Sequence, residues 1–140
     1  MDLKKYKTSN LDIYQSDLFW KSINSLQLFS DTKNNLLRAV VPPSKSKNMM
    51  SFLKNKYRYF IDWSGSLFWI EVPGDENIKD VKNIIIQNDG YVTIIKKSED
   101  FEFNEKLFTV DDTKLMISKK IKESFDPKRI FNPGKMYRTV

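Results

Sequence analysis

No cysteine and no histidine occur in this 140-residue chain. Without thiols the chain itself holds no disulfide, no thiolate zinc site and no iron–sulfur cluster. Without imidazole it offers no Ser–His triad, no histidine general base and no histidine metal ligand. Chemistry that needs either group must come from another domain or chain. Glycine is scarce too, and four residues leave no room for a glycine-rich phosphate loop. No apolar run is long enough to span a bilayer. The opening MDLKKYKTSNLDIY lacks the apolar core of a signal peptide. The reading is a cytoplasmic protein with no metal site and no membrane span.

What remains is a composition that folds. Hydrophobic residues at 40% and charged residues at 30% are those of a globular domain rather than a disordered one. The net charge of +6 is unevenly placed: residues 114–140 hold eight Lys or Arg against Glu123 and Asp126. A basic tail attracts anions, nucleic acid or an acidic partner, or is simply a solvated helix face.

Residues 1–15 read as a disordered leader or truncated linker, with one domain over 16–140. Ser16 is placed to cap a short helix with Phe19, Ile23 and Leu26 on one stripe. Leu36–Val41 reads as a strand stopped by Pro42-Pro43. Ser44 then caps a helix through Lys56 with Met49, Met50 and Leu53 inward. Tyr57–Trp63 and Leu67–Val72 are aromatic-rich strands around Ser64-Gly65-Ser66, a hairpin signal. Asp75 caps a helix whose apolar face is Ile78, Val81, Ile84 and Ile85. Gly90 is placed as its left-handed stop. Tyr91–Lys96 is a fourth strand, and Asp112–Phe125 a last helix with Ile117, Ile121 and Phe125 in register. The order β-α-β-β-α-β predicts an α+β fold, a ferredoxin-like antiparallel sheet with flanking N- and C-terminal helices. Both crossover helices would cover one sheet face and leave the other open to a partner.

Side-chain alternation along a strand sets Arg38, Trp69 and Glu71 on that open face. Arg38 is either an anion contact, since guanidinium binds carboxylate and phosphate with directed donors, or half of a cross-strand pair with Glu71. Trp63 and Trp69 read as packing against a neighbouring domain. Asp62 orients the following turn through nearby backbone amides.

The C-terminal segment KESFDPKRIFNPGKMY, Lys122–Tyr137, is strongly punctuated. Pro127 ends the helix at Asp126, and Pro133 pushes Asn132 towards an extended conformation. Gly134 is free to take positive φ. Phe125-Asp126-Pro127 followed by Asn132-Pro133-Gly134-Lys135 resembles the closing motif of FAD-linked oxidases of the vanillyl-alcohol oxidase type. LLRAVVPPSKS (Leu36–Ser46) and IDWSGSLFWIEVP (Ile61–Pro73) are similar to cap-domain segments of the glycolate oxidase FAD-binding subunits. The resemblance spans roughly residues 17–140.

That resemblance implies a C-terminal cap domain without the N-terminal FAD-binding domain, as in a gene fragment or split subunit. FAD is the implied cofactor, completed by another domain. The implied residues near the flavin are Asn132, Lys135, Arg38 and Trp69; none is implied as catalytic. The implied activity is oxidation of glycolate, or another small 2-hydroxy acid, with this chain inactive alone. The implied partners are a catalytic flavoprotein subunit and an iron–sulfur subunit, which would also supply any peripheral contact with the inner membrane. Two other classes share the strand order: an RNA-recognition domain stacking bases on sheet aromatics, and a small-anion-binding module. Ser64-Gly65-Ser66-Leu67 departs from the RNA-binding signature, and the charge excess lies in the tail rather than along the sheet.

Overall fold

A computed structural model describes residues 9–74, 76–101 and 111–134. The chain divides into two compact units, residues 1–32 and 33–140.

In the first unit, helix α1 spans Ile13–Asn24. Its cap is Asp12, one turn earlier than Ser16. The Asp12 carboxylate accepts from the Gln15 N–H at 2.7 Å, and the Gln15 side chain accepts from the Asp12 N–H at 3.1 Å. This reciprocal capping box satisfies two orphan donors at once, which a lone Ser16 cannot do. Phe19 and Trp20 meet edge to face at 5.5 Å. No residue of α1 is buried, and Phe19 is exposed while Ile23 is half-buried, so the expected stripe is not a core face.

In the second unit, β1 (Asn35–Val40), β2 (Arg58–Asp62), β3 (Leu67–Val72) and β4 (Tyr91–Lys96) form one sheet in the order β2-β3-β1-β4. All three neighbouring pairs are antiparallel. Helix α2 (Ser46–Leu53) joins β1 to β2, and α3 (Glu76–Gln87) joins β3 to β4. The fold is α+β, as the sequence pattern requires. Leu37 sits opposite Ile70 and Ile94, and Ala39 opposite Phe68 and Val92. These residues pack with Met49 and Leu53 of α2 and Ile78, Val81 and Ile85 of α3 in a single core. Both helices therefore cover the same sheet face. The alternation Leu37, Ala39 and Phe68, Ile70, Val72 is the cause: only one side of each strand is continuously apolar.

Three local details differ from the sequence reading, and one cannot be compared. Pro43–Lys45 first form a 3-10 turn, so α2 begins at Ser46 rather than after Ser44. Met50 points to solvent while Met49 and Leu53 are buried, because an eight-residue helix turns only a narrow stripe inward. Asp75, the expected cap of α3, lies outside the described residues. At the other end of α3, Asp89 rather than Gly90 takes the left-handed conformation (φ 58°). The Gly90 N–H reaches the Ile85 carbonyl at 2.9 Å and the Asp89 N–H that of Ile86 at 3.0 Å, a Schellman end.

Asn35 opens β1 and is fully buried. Its Nδ2 donates to the Gly74 carbonyl at 3.3 Å, and its Oδ1 accepts from the Ser98 N–H at 2.9 Å. One carboxamide thus holds the exits of β3 and β4. No helix among the described residues is long and apolar enough to cross a membrane.

Candidate functional site

The second sheet face is graded rather than bare. Leu36 and Leu67 are 5% and 3% exposed, whereas Arg38, Phe60 and Trp69 are half-buried and Arg58 is exposed. The expectation of an open aromatic face is corrected to that extent. The residues on it still form a group with a chemical character.

Arg38 lies directly opposite Trp69 across β1–β3 and opposite Thr93 across β1–β4. Its guanidinium carbon is 5.0 Å from the centroid of the Trp63 ring and 6.0 Å from that of Trp69. Glu71 faces Leu36 in the register, not Arg38. The Glu71 carboxylate is taken by Arg58 Nε and by Asn34 Nδ2, the latter at 2.8 Å. The cross-strand Arg38–Glu71 pair therefore does not form. Among the described residues no carboxylate forms an ion pair with Arg38. A guanidinium bracketed by two indoles keeps its in-plane N–H donors for a carboxylate or phosphate while its faces are occupied.

Trp63 reaches Arg38 by an unusual backbone path. Trp63, Ser64 and Gly65 all have positive φ, at 51°, 53° and 92°. Left-handed geometry costs a bulky residue about 1–2 kcal/mol. Four contacts hold it there. The Asp62 carboxylate accepts from the Trp63 N–H at 2.7 Å. The Ser66 N–H donates to the Trp63 carbonyl at 3.1 Å. Ser46 Oγ donates to the Gly65 carbonyl, and the Val41 N–H to that of Ser66 at 2.9 Å. Asp62 thus orients the turn, as its position indicated. Strain fixed from several sides is typical of ligand clamps. Replacing Trp63 by glycine sets opposing effects against each other. Relief of about 1–2 kcal/mol of backbone strain is offset by the loss of an exposed cation–π contact of about 0.5–1 kcal/mol and by about 0.4–1 kcal/mol for glycine's freer unfolded chain. The Trp63→Gly variant is expected to match the parent in urea midpoint; a loss above about 2 kcal/mol would show that the indole is structural.

The second group lies at the C-terminus. Helix α4 (Asp112–Phe125) is capped by Asp111, whose carboxylate accepts from the Lys114 N–H at 2.8 Å. At its other end Asp126 is buried and accepts three times. Lys122 Nζ donates to it at 2.6 Å, and the N–H groups of Ile130 and Phe131 each at 2.9 Å. Lys122 also donates to the Phe131 carbonyl. The Lys122 ammonium, aided by the two backbone amides, holds the Asp126 carboxyl at a pKa of about 2, well below the usual carboxylate range. The chain is folded back on Asp126 and passes through left-handed Arg129 (φ 51°), Asn132 (φ 44°) and Gly134 (φ 68°). Asn132 is therefore not extended: asparagine tolerates the left-handed region, and the fold-back imposes it despite the following proline.

Of the residues expected near a flavin, the structure brings Arg38 and Trp69 together. Asn132 is exposed in the C-terminal turn, with no hydrogen bond or ring contact to either among the described residues. Lys135 lies outside the described residues. Two further participants lie outside that set. Trp63 belongs to the site although nothing in Trp-Ser-Gly announces a left-handed tryptophan. The Lys122–Asp126 pair was legible, because its i,i+4 spacing is a helix-surface signal.

A family model matches the chain at this second group. Residues 102–136 match the family model described as FAD linked oxidases, C-terminal domain. The match covers a quarter of the chain and takes in α4, the Asp126 turn, Asn132 and Lys135, but not Arg38 or Trp69. It supports a C-terminal domain of an FAD-linked oxidase, and with it a flavoprotein oxidoreductase. No curated protein and no solved structure matches.

An FAD-linked oxidase needs a cradle for the pyrophosphate as well as a seat for the flavin ring. The four glycines stand apart at 65, 74, 90 and 134, so this chain builds no glycine-rich cradle. Arg38 with its two indoles fits one planar or anionic edge and no more. The described residues do not make a complete FAD site.

Proposed function

We propose that residues 16–140 are the C-terminal cap domain of the FAD-binding subunit of a glycolate-oxidising complex, lying over a flavin that another domain holds. The observation that carries this reading is the match of residues 102–136 to the C-terminal domain of FAD linked oxidases. The two upstream resemblances, Leu36–Ser46 and Ile61–Pro73, in order ahead of the C-terminal motif support it. In this reading Arg38, Trp69, Asn132 and Lys135 lie near the flavin edge of the complete protein. Arg38 has the chemistry to face an anion there. FAD, when bound in the complete protein, accepts the hydride from the 2-hydroxy acid. The base for the hydroxyl proton must be tuned near neutral pH, and a chain without histidine leaves that role to the catalytic flavoprotein partner. An iron–sulfur subunit passes the electrons on, in the cytoplasm or at the inner membrane surface.

The test is reconstitution. The purified chain, mixed with FAD, is expected to elute free of flavin on gel filtration and to reduce no dye with glycolate. Added to the catalytic flavoprotein and iron–sulfur subunits of a glycolate-oxidising complex, it is expected to be required for dye reduction. Micromolar FAD binding by the chain alone, or dye reduction equally fast without it, overturns the proposal.

A further inference from the structure

Helix α4 is amphipathic in the wrong direction for a helix that packs on its own domain. Its half-buried positions are Leu115, Ser118, Lys119 and Lys122, three of them polar. Its apolar row, Ile117, Ile121 and Phe125, is 48%, 55% and 83% exposed. A helix that serves its own core turns such a row inward. The row is about 12 Å long at the helical rise, and Ile130 and Phe131, each 67% exposed, stand in the turn beyond it. Scattered apolar residues on a surface are ordinary; large ones at i, i+4 and i+8 are the anchors by which a helix enters a groove.

Two features say what kind of groove. First, cations rim the row. Lys114 precedes it, Lys120 flanks it, and Lys128 and Arg129 follow it, all exposed. Residues 114–140 contain the whole net positive charge of the chain. Second, the anchors are held in place. The Asp126 carboxylate and the Lys122 ammonium tie the backbone of Ile130 and Phe131, so the turn is preorganised. Fixed anchors lower the ordering cost of entering a shaped protein groove, whereas a fluid bilayer gains nothing from fixed positions.

The geometry points to the Ile117–Ile121–Phe125 row as a docking surface for a partner protein that presents an apolar groove rimmed by carboxylates. This surface is distinct from the Arg38 face, and the inference does not depend on the flavoprotein reading.

The full chain carrying a photo-reactive amino acid at position 121, and separately at the exposed Asn83 of α3, is irradiated in the cells that express it. One protein adduct is expected from position 121 and none from 83, joined at a peptide in which Asp and Glu flank apolar residues. Phe125→Asp should lower its yield about tenfold or more, the scale of a lost anchor. Raised salt should weaken it. Because Phe125 is exposed, the circular dichroism melt of the variant should match that of the parent. Absence of an adduct at 121, an adduct with a second copy of this chain, or a joined peptide without carboxylates overturns the inference. So does Phe125-dependent sedimentation with phosphatidylglycerol vesicles, which would assign the row to lipid. An adduct with a protein that holds no flavin would sustain the docking surface while counting against the glycolate-oxidising complex. A flavin complex that forms with no adduct at 121 would do the reverse.

Discussion

Gly90→Ala is expected to remove about 3 kcal/mol or more of stability, the upper range for forcing a group into a packed site. The backbone at Gly90 is not left-handed, so alanine meets no conformational penalty. On backbone entropy alone it would even help, by about 0.4–1 kcal/mol. Space decides the sign. A Cβ there would lie 2.6 Å from Val41 Cγ1, 2.7 Å from the Val40 carbonyl oxygen and 2.9 Å from Ile85 Cγ2. Methyl groups can swing aside, but the carbonyl belongs to β1, and moving it disturbs the pairing with both β3 and β4. Against the usual 5–15 kcal/mol of a small domain the loss is severe. Gly74→Ala is the internal comparison. Gly74 has φ 66° and open space around it, so only the left-handed cost of about 1–2 kcal/mol applies. Urea denaturation of the two variants should rank Gly90→Ala as the more damaging; the opposite ranking would mean that the close approach of α3 to β1 is not what glycine serves.

Asp126→Ala should release the C-terminal turn while leaving the sheet intact. One carboxylate closes three donors. Its loss takes the acceptor from the Ile130 and Phe131 N–H groups and leaves the Lys122 ammonium with the Phe131 carbonyl. Amide exchange at Ile130 and Phe131 should rise to open-chain rates, with β1 and β3 amides unchanged; Asp126→Asn, which keeps one acceptor oxygen but not the charge, should fall between. The same contacts set a pH dependence. Because the folded carboxyl titrates at about 2 and an unfolded one at about 3.9, the stabilisation is complete above roughly pH 4. It is lost as the pH falls through the folded value. The amide resonances of Ile130 and Phe131 should therefore move with a midpoint near that of Asp126. A midpoint at the ordinary aspartate value would show that Lys122 does not hold the carboxylate.

The same two places show where the sequence was readable. Strands β3 and β4 and helix α4 were legible to the residue, because Leu67–Val72, Tyr91–Lys96 and Asp112–Phe125 lie between unambiguous turn or cap residues. Alternation sorted the core face of Leu37, Ala39, Phe68 and Ile70 from the face of Arg38 and Trp69. Register was not legible. Whether Arg38 meets Glu71 or Trp69 depends on a two-residue offset between β1 and β3, and alternation is blind to an even shift. Positive φ was legible at Gly134, where the residue type permits it, but not at Trp63, Asp89 or Asn132, where tertiary contacts impose it. The cap at Asp12 is legible in Asp-x-x-Gln, whereas Ser16 has no Glu or Gln three residues on. The direction of α4's apolar row could not be read at all, since a stripe has the same spacing whether it faces a core or a partner.

The carboxamide of Asn35 bears on how the molecule opens. It bridges Gly74, just past the end of β3, and Ser98, just past the end of β4, and neither bond survives if the other loop pulls the side chain away. Thermal fluctuations at the two exits should accordingly be concerted, the Ser98 end of β4 coming loose only together with the Gly74 end of β3.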